Sequence, residues 1–174
     1  MKKRKVTEQE LRDLVETGAD LTQLDVSQVT NMSFLFMGKE SFNQDISSWD
    51  VSNVRDMSRM FQRADTFNQD ISTWDVSNVE DMSFMFEGAL AFNQDIGKWN
   101  ISEDTNLSWI LYCADAFVQD LSTAGQRQRA AWIAGRLIVD TDLYKYLWSC
   151  PLKELPKYMN HRTLAPIVKK RLGK

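Results

Sequence analysis

The chain holds one histidine, two cysteines, three prolines and seven glycines. His161 stands alone within Asn-His-Arg, which excludes most imidazole metal sites and any mechanism that needs two histidines. Cys113 and Cys150 are too few for a zinc cluster or a disulfide framework. The scarce glycines form no phosphate-cradling loop, and neither GxSxG nor HExxH occurs. No run of about 18 apolar residues exists, so no helix is expected to span a membrane. The opening Met-Lys-Lys-Arg-Lys continues as Val-Thr-Glu-Gln-Glu, without the apolar stretch of an export signal, and the expected location is cytoplasmic. These absences together argue against an enzyme and against a bound metal or cofactor.

What is present is a large separation of charge. The net charge of −3 over 174 residues hides three segments. Residues 1–5 carry four positive charges, residues 6–125 carry 6 Lys+Arg against 21 Asp+Glu, and residues 126–174 carry 11 against 3. An acidic body with basic ends bears on partner choice or on pairing between body and tail.

The sequence also repeats every 25 residues. Asn43–Phe67 reads NQDISSWDVSNVRDMSRMFQRADTF, and Asn68–Phe92 reads NQDISTWDVSNVEDMSFMFEGALAF. Asn93–Phe117 is a degraded copy, a partial copy runs from Leu24 to Phe42, and a stub begins at Val118. In the second full copy, Ile71, Trp74 and Val76 follow the LxxLxL spacing, which predicts a short strand with Trp74 and Val76 inward and Asp75 outward. Ser77 and Glu80 make a capping-box pattern. Val79, Met82, Met85, Phe86 and Ala89 then recur at three and four residues, as one helical face does. The expected fold is therefore α/β, a leucine-rich-repeat-like solenoid of about four 25-residue strand–turn–helix units. Cys113 takes the slot of Gly88 and reads as a small buried residue.

Three regions follow. Residues 1–23 hold a basic start and a cap helix over Thr7–Gly18, with Thr7 and Glu10 as a capping box. Residues 24–121 form the repeat body. Residues 122–174 read as a basic helical cap or extension, with helical patterns at Gln126–Val139, Asp142–Trp148 and Leu164–Leu172 and breaks at Pro151 and Pro156.

The string FNQDISxWDVSNVxDMSxMFxxA, over residues 24–121, resembles the repeat of the BspA-family leucine-rich-repeat surface proteins of bacteria. The resemblance implies a leucine-rich-like solenoid and a role in binding other proteins. Many members of that family are exported or lipid-anchored. The family has no catalytic residues to carry over.

Positions 25 residues apart become neighbours when units stack. Asp25, Asp50, Asp75 and Asn100 then form one outward row, with Ser27, Ser52, Ser77 and Ser102 beside it. Two carboxylates about 5 Å apart repel by roughly 3 kcal/mol at an effective dielectric near 20, less in open solvent. The row needs hydrogen bonds, a basic partner or a cation to offset that, and these are its three readings: structural, recognition surface, calcium ladder. A second row, Asp45, Asp70, Asp95 and Asp120 with Asn43, Asn68 and Asn93, reads as Asx turns in the return loops.

The function expected from these patterns is non-catalytic protein binding. An acidic repeat face (Asp25, Asp50, Asp75, Asn100, Ser52 and Ser77) would meet a protein partner with a basic surface. A sharper form is a charge mimic that inhibits a nucleic-acid-binding protein, as an anti-defence or anti-CRISPR protein would. The alternative is a bacterial surface or adhesion-type repeat protein. Direct nucleic-acid binding through the basic tail, at Lys169, Lys170 and Arg171, ranks third.

Overall fold

The structure is a computed structural model that describes residues 3–119. The expected helices beyond residue 122, and with them Lys169, Lys170 and Arg171, lie outside the described residues.

The chain begins with β1, Arg4–Lys5, and α1, Glu8–Glu16. The Thr7 hydroxyl accepts from the Glu10 N–H while the Glu10 carboxylate accepts from the Thr7 N–H, so two orphan donors are satisfied at once. Leu11 and Val15 face inward, one turn apart. At the other end the Gly18 N–H donates to Val15 O (3.2 Å) and the Ala19 N–H to Leu14 O (3.0 Å), a pair of bonds that requires the left-handed Gly18 (φ +69°). β2, Leu24–Asp25, pairs in parallel with β1 and joins this cap to the first repeat unit.

The repeat units themselves contradict the expected strand–turn–helix solenoid. Among the described residues there is one helix and there are two strands of two residues each, all in the first 25 positions. The units are built from turns. In the segment expected to be helical, the N–H groups of Met82, Phe84, Phe86 and Gly88 donate to the carbonyls of Asn106, Ser108, Ile110 and Tyr112 in the following unit, at 2.8–2.9 Å. The alternate N–H groups, on Met85, Glu87 and Ala89, close local turns onto Met82, Phe84 and Phe86. An α-helix would send every N–H four residues back. Here half of them leave the unit.

The same alternation links Met57–Arg63 to Asp81–Glu87 and Met32–Gly38 to Asp56–Gln62, with successive parallel bridges Asn31 to Asp56, Asp56 to Asp81 and Asp81 to Asn106. Successive three-residue turns bury one side chain per turn. That places Val79, Met82, Met85, Phe86 and Ala89 in the core with helix-like spacing but no helix. The expected strand fails for a related reason. Trp74 and Val76 are buried and Asp75 is exposed, but Asp70 and Asp75 each fold the backbone into a turn that interrupts pairing.

The core is a double column of phenylalanines. Within a unit Phe36 stacks on Phe42, Phe61 on Phe67 and Phe86 on Phe92, with centroids 3.8–3.9 Å apart. Between units the columns continue at 5.4 Å from Phe36 to Phe61 and 5.6 Å to Phe86. Trp49, Trp74 and Trp99 lie against this column, and each indole N–H donates to a carbonyl of the preceding turn of chain: Leu21, Ile46 and Ile71. A buried indole needs such a partner, and the repeat supplies the same one each time.

Candidate functional site

Two kinds of exposed column run along the stack. The first is acidic. Asp25, Asp50 and Asp75 each turn Oδ1 back on their own chain and accept from the backbone N–H of Ser27, Ser52 and Ser77 at 3.1 Å and from the same serine's hydroxyl at 2.6–2.7 Å. These are Asx turns. The serine hydroxyl first, and its backbone N–H second, hold the Asp25 and Asp75 carboxyls below the usual aspartate range. The fourth unit breaks the row: around Asn100 the turn moves on, and the Asp104 N–H donates to Ser102 Oγ (3.3 Å).

The second expected row behaves alike. Asp45 and Asp70 accept from Ser47 and Ser72, and Asp95 accepts from the Gly97 N–H. Asp120 lies outside the described residues. Asn43, Asn68 and Asn93 form an amide ladder, each Oδ1 taking the N–H one unit on, at Asn68, Asn93 and Val118 (2.9–3.0 Å). Sequence reasoning missed a third turn column, Asn31, Asp56, Asp81 and Asn106, which accept from Ser33, Ser58, Ser83 and Ser108. Every row therefore spreads its carboxylates, each toward its own turn. Among the described residues no three His, Cys, Asp or Glu side chains gather as a metal site would require.

The second kind of column is aromatic and basic. Phe34, Arg59, Phe84 and Trp109 sit 25 residues apart, all in the left-handed region with φ of 57–61°. The Arg59 guanidinium lies over the Phe34 ring at 5.7 Å and over the Phe84 ring at 4.5 Å. Phe84 continues to Trp109, centroids 6.5 Å apart and planes within 12°. Tyr112 meets Trp109 edge to face. Phe34 is 47% exposed, Trp109 37%, and Met37 beside Phe34 is exposed too.

This column is costly for the fold. A non-glycine residue at positive φ gives up about 1–2 kcal/mol, while a cation–π contact at an exposed site returns about 0.5–1 kcal/mol. A neighbouring column shows the cheaper choice: Gly38 and Gly88 fill the same conformation, alongside Arg63 and Cys113. Cys113 thus shares Gly88's slot because of backbone conformation, and it is half-buried instead of buried as expected. In the motif string the aromatic–arginine column is the x of MSxMF. It escaped sequence reasoning because Phe, Arg, Phe and Trp share no single identity, although three of the four are aromatic.

The family described as "Mycoplasma protein of unknown function, DUF285" matches residues 7–124. The chain belongs to that family. The DUF285 match takes in α1 and all four units, and it is consistent with a surface repeat protein. No curated protein and no solved structure matches the chain. Among the described residues no helix is long and apolar enough to cross a membrane.

Proposed function

We propose that this DUF285 chain is a non-catalytic, surface-type repeat module that binds a partner protein through the Phe34–Arg59–Phe84–Trp109 column. The observation that carries the reading is large side chains, exposed at Phe34 and Trp109 and half-buried at Arg59 and Phe84, held where glycine would suit the backbone better. Aromatic and arginine side chains are also the groups that dominate binding energy in protein interfaces. Residues 6–125 as a whole are acidic, 21 Asp+Glu against 6 Lys+Arg, so the matching partner patch has an apolar centre and a basic rim. The stack presents the column without an ordering step, which removes one of the usual costs of association.

A charge-mimic inhibitor would instead use the acidic rows, and only through their Oδ2 atoms, because Oδ1 is committed to the turns. Two variants separate the readings. Phe34→Gly, Phe84→Gly and Trp109→Gly together remove the column and keep the backbone conformation. Asp25→Asn, Asp50→Asn and Asp75→Asn remove charge and keep the turn acceptors. In parallel captures from host cells, a protein lost with the glycine set and retained with the asparagine set supports the column. The reverse result sinks it in favour of the acidic face. Protease treatment of intact host cells tests location: a chain that stays uncut until lysis is not a surface protein.

A further inference from the structure

Residues 6–125 hold six Lys and Arg side chains among 21 Asp and Glu. Four of the six are ion-paired: Arg12 with Glu8, Lys39 with Glu16, Arg55 with Glu80 and Lys98 with Asp95, at 2.7–3.4 Å. The exceptions are Arg59 and Arg63. Among the described residues neither guanidinium makes an ion pair or a hydrogen bond, despite the excess of acids. Both stand in the second unit at positive φ, 57° and 55°. Their counterparts are Phe34 and Gly38 in the first unit and Phe84 and Gly88 in the third. The neighbouring units hold both arginines in place. The Arg59 guanidinium lies between the Phe34 and Phe84 rings. Ring contact occupies the faces of a guanidinium, while its five N–H donors lie in the plane and still need acceptors. The Arg63 stem lies along Gly88, where a Cβ would touch Arg63 Cγ at 3.4 Å. Four residues of chain span at most about 14 Å, so one short ligand segment reaches both.

We propose that Arg59 and Arg63 form an anion site whose ligand is an acidic segment of the partner protein, Asp or Glu carboxylates flanked by apolar residues. A carboxylate matches the guanidinium fork and takes two parallel N–H bonds from it. The apolar flanks meet Phe34 and Trp109, the exposed members of the column. A few carboxylates suit the site better than a polyanion does. A nucleic acid brings a long row of phosphates against a body that carries 21 acids and 6 bases. The inference names the chemistry at the centre of the partner patch and rests on the binding column proposed above.

A phage-displayed library of random short peptides, panned on the full chain, tests it. The binders should be enriched in Asp and Glu beside apolar residues. Synthetic copies should bind the Arg59→Gln, Arg63→Gln chain at least about tenfold more weakly. Arg59→Lys with Arg63→Lys keeps both charges, loses the fork and should recover only part of that loss. Urea midpoints check that each variant is folded, and the lysine pair is read alone if the glutamine pair is not. The Phe34→Gly, Phe84→Gly, Trp109→Gly chain separates this proposal from the column itself. Binders lost with the glycine set but kept by both arginine variants leave the column standing and overturn the anion site. Binders lost with the arginine variants alone support the anion site and remove the aromatic residues from it. A library that yields no acidic binders overturns the proposal. So does binding of oligo-dT that disappears with the arginine variants, which reports a nucleic-acid site instead.

Discussion

The acidic columns and the aromatic–arginine column recur at the same 25-residue interval, and both face solvent. The fold uses them differently. Each Asx aspartate satisfies a backbone N–H and sets a turn, so its repetition is what the backbone requires. Phe34, Arg59, Phe84 and Trp109 occupy a backbone conformation that glycine adopts freely, at a strain their ring and cation–π contacts, half-buried at Arg59 and Phe84, have to offset. Repetition alone therefore does not separate structure from function. The free-energy sign of each repeated residue does.

The comparison breaks most sharply between two phenylalanines two positions apart. Phe86 is fully buried between Phe61 and Phe92, so Phe86→Ala should destabilise by about 3–5 kcal/mol. Phe84→Gly relieves a positive φ while losing its contacts with Arg59 and Trp109, and should change stability by less than about 1 kcal/mol. Urea unfolding measures both. If Phe84→Gly costs as much as Phe86→Ala, the column belongs to the fold and the binding proposal loses its basis.

Next in size are the turn aspartates. Asp56→Ala and Asp81→Ala each leave a serine N–H without its acceptor and should cost about 1 kcal/mol. Asp56→Asn and Asp81→Asn should be nearly neutral, because Asn31 and Asn106 already perform the same role in the first and fourth units. Equal losses for alanine and asparagine would show that charge, not the turn, is what matters there.

Much of this is legible in the sequence. The period is visible by eye, and the inward side chains Ile71, Trp74, Val76, Met82, Met85 and Phe86 are those the spacing selects. Secondary structure was not. A spacing of three and four reports which side chains share a face, and a chain of three-residue turns produces it as readily as a helix does. Only the destination of the backbone N–H groups distinguishes the two, and sequence does not display that. Thr7 and Glu10 were readable because a capping box is local. The column Phe34–Arg59–Phe84–Trp109 was not, because its meaning rests on φ.

Acid provides the third test. Asp25, Asp45, Asp70 and Asp75 are held below the ordinary aspartate range, in each case by a serine hydroxyl first and a backbone N–H second. A carboxyl with a lower pKa folded than unfolded contributes stability that is full above the unfolded value, about 3.9, and is lost as pH falls through the folded value. The melting temperature should therefore drop below about pH 4. Asparagine at all four positions should flatten that limb while leaving the neutral-pH value close to wild type. An unchanged acid limb in the fourfold variant would mean that these turns do not bind their protons differently on folding.

The smallest effect calibrates the rest. Arg55 and Glu80 also stand 25 residues apart and meet at 2.7 Å, with side chains 64% and 70% exposed. An exposed pair of this kind is worth about 0–1 kcal/mol and is screened by salt. Glu80→Gln should therefore shift the urea midpoint barely, and not at all in about 1 M salt. A larger loss would mean that exposed contacts between units carry real stability in this stack. Arg59, lying between Phe34 and Phe84, would then have a structural reason to be where it is. A negligible loss leaves binding as the account of why those four positions are not glycine.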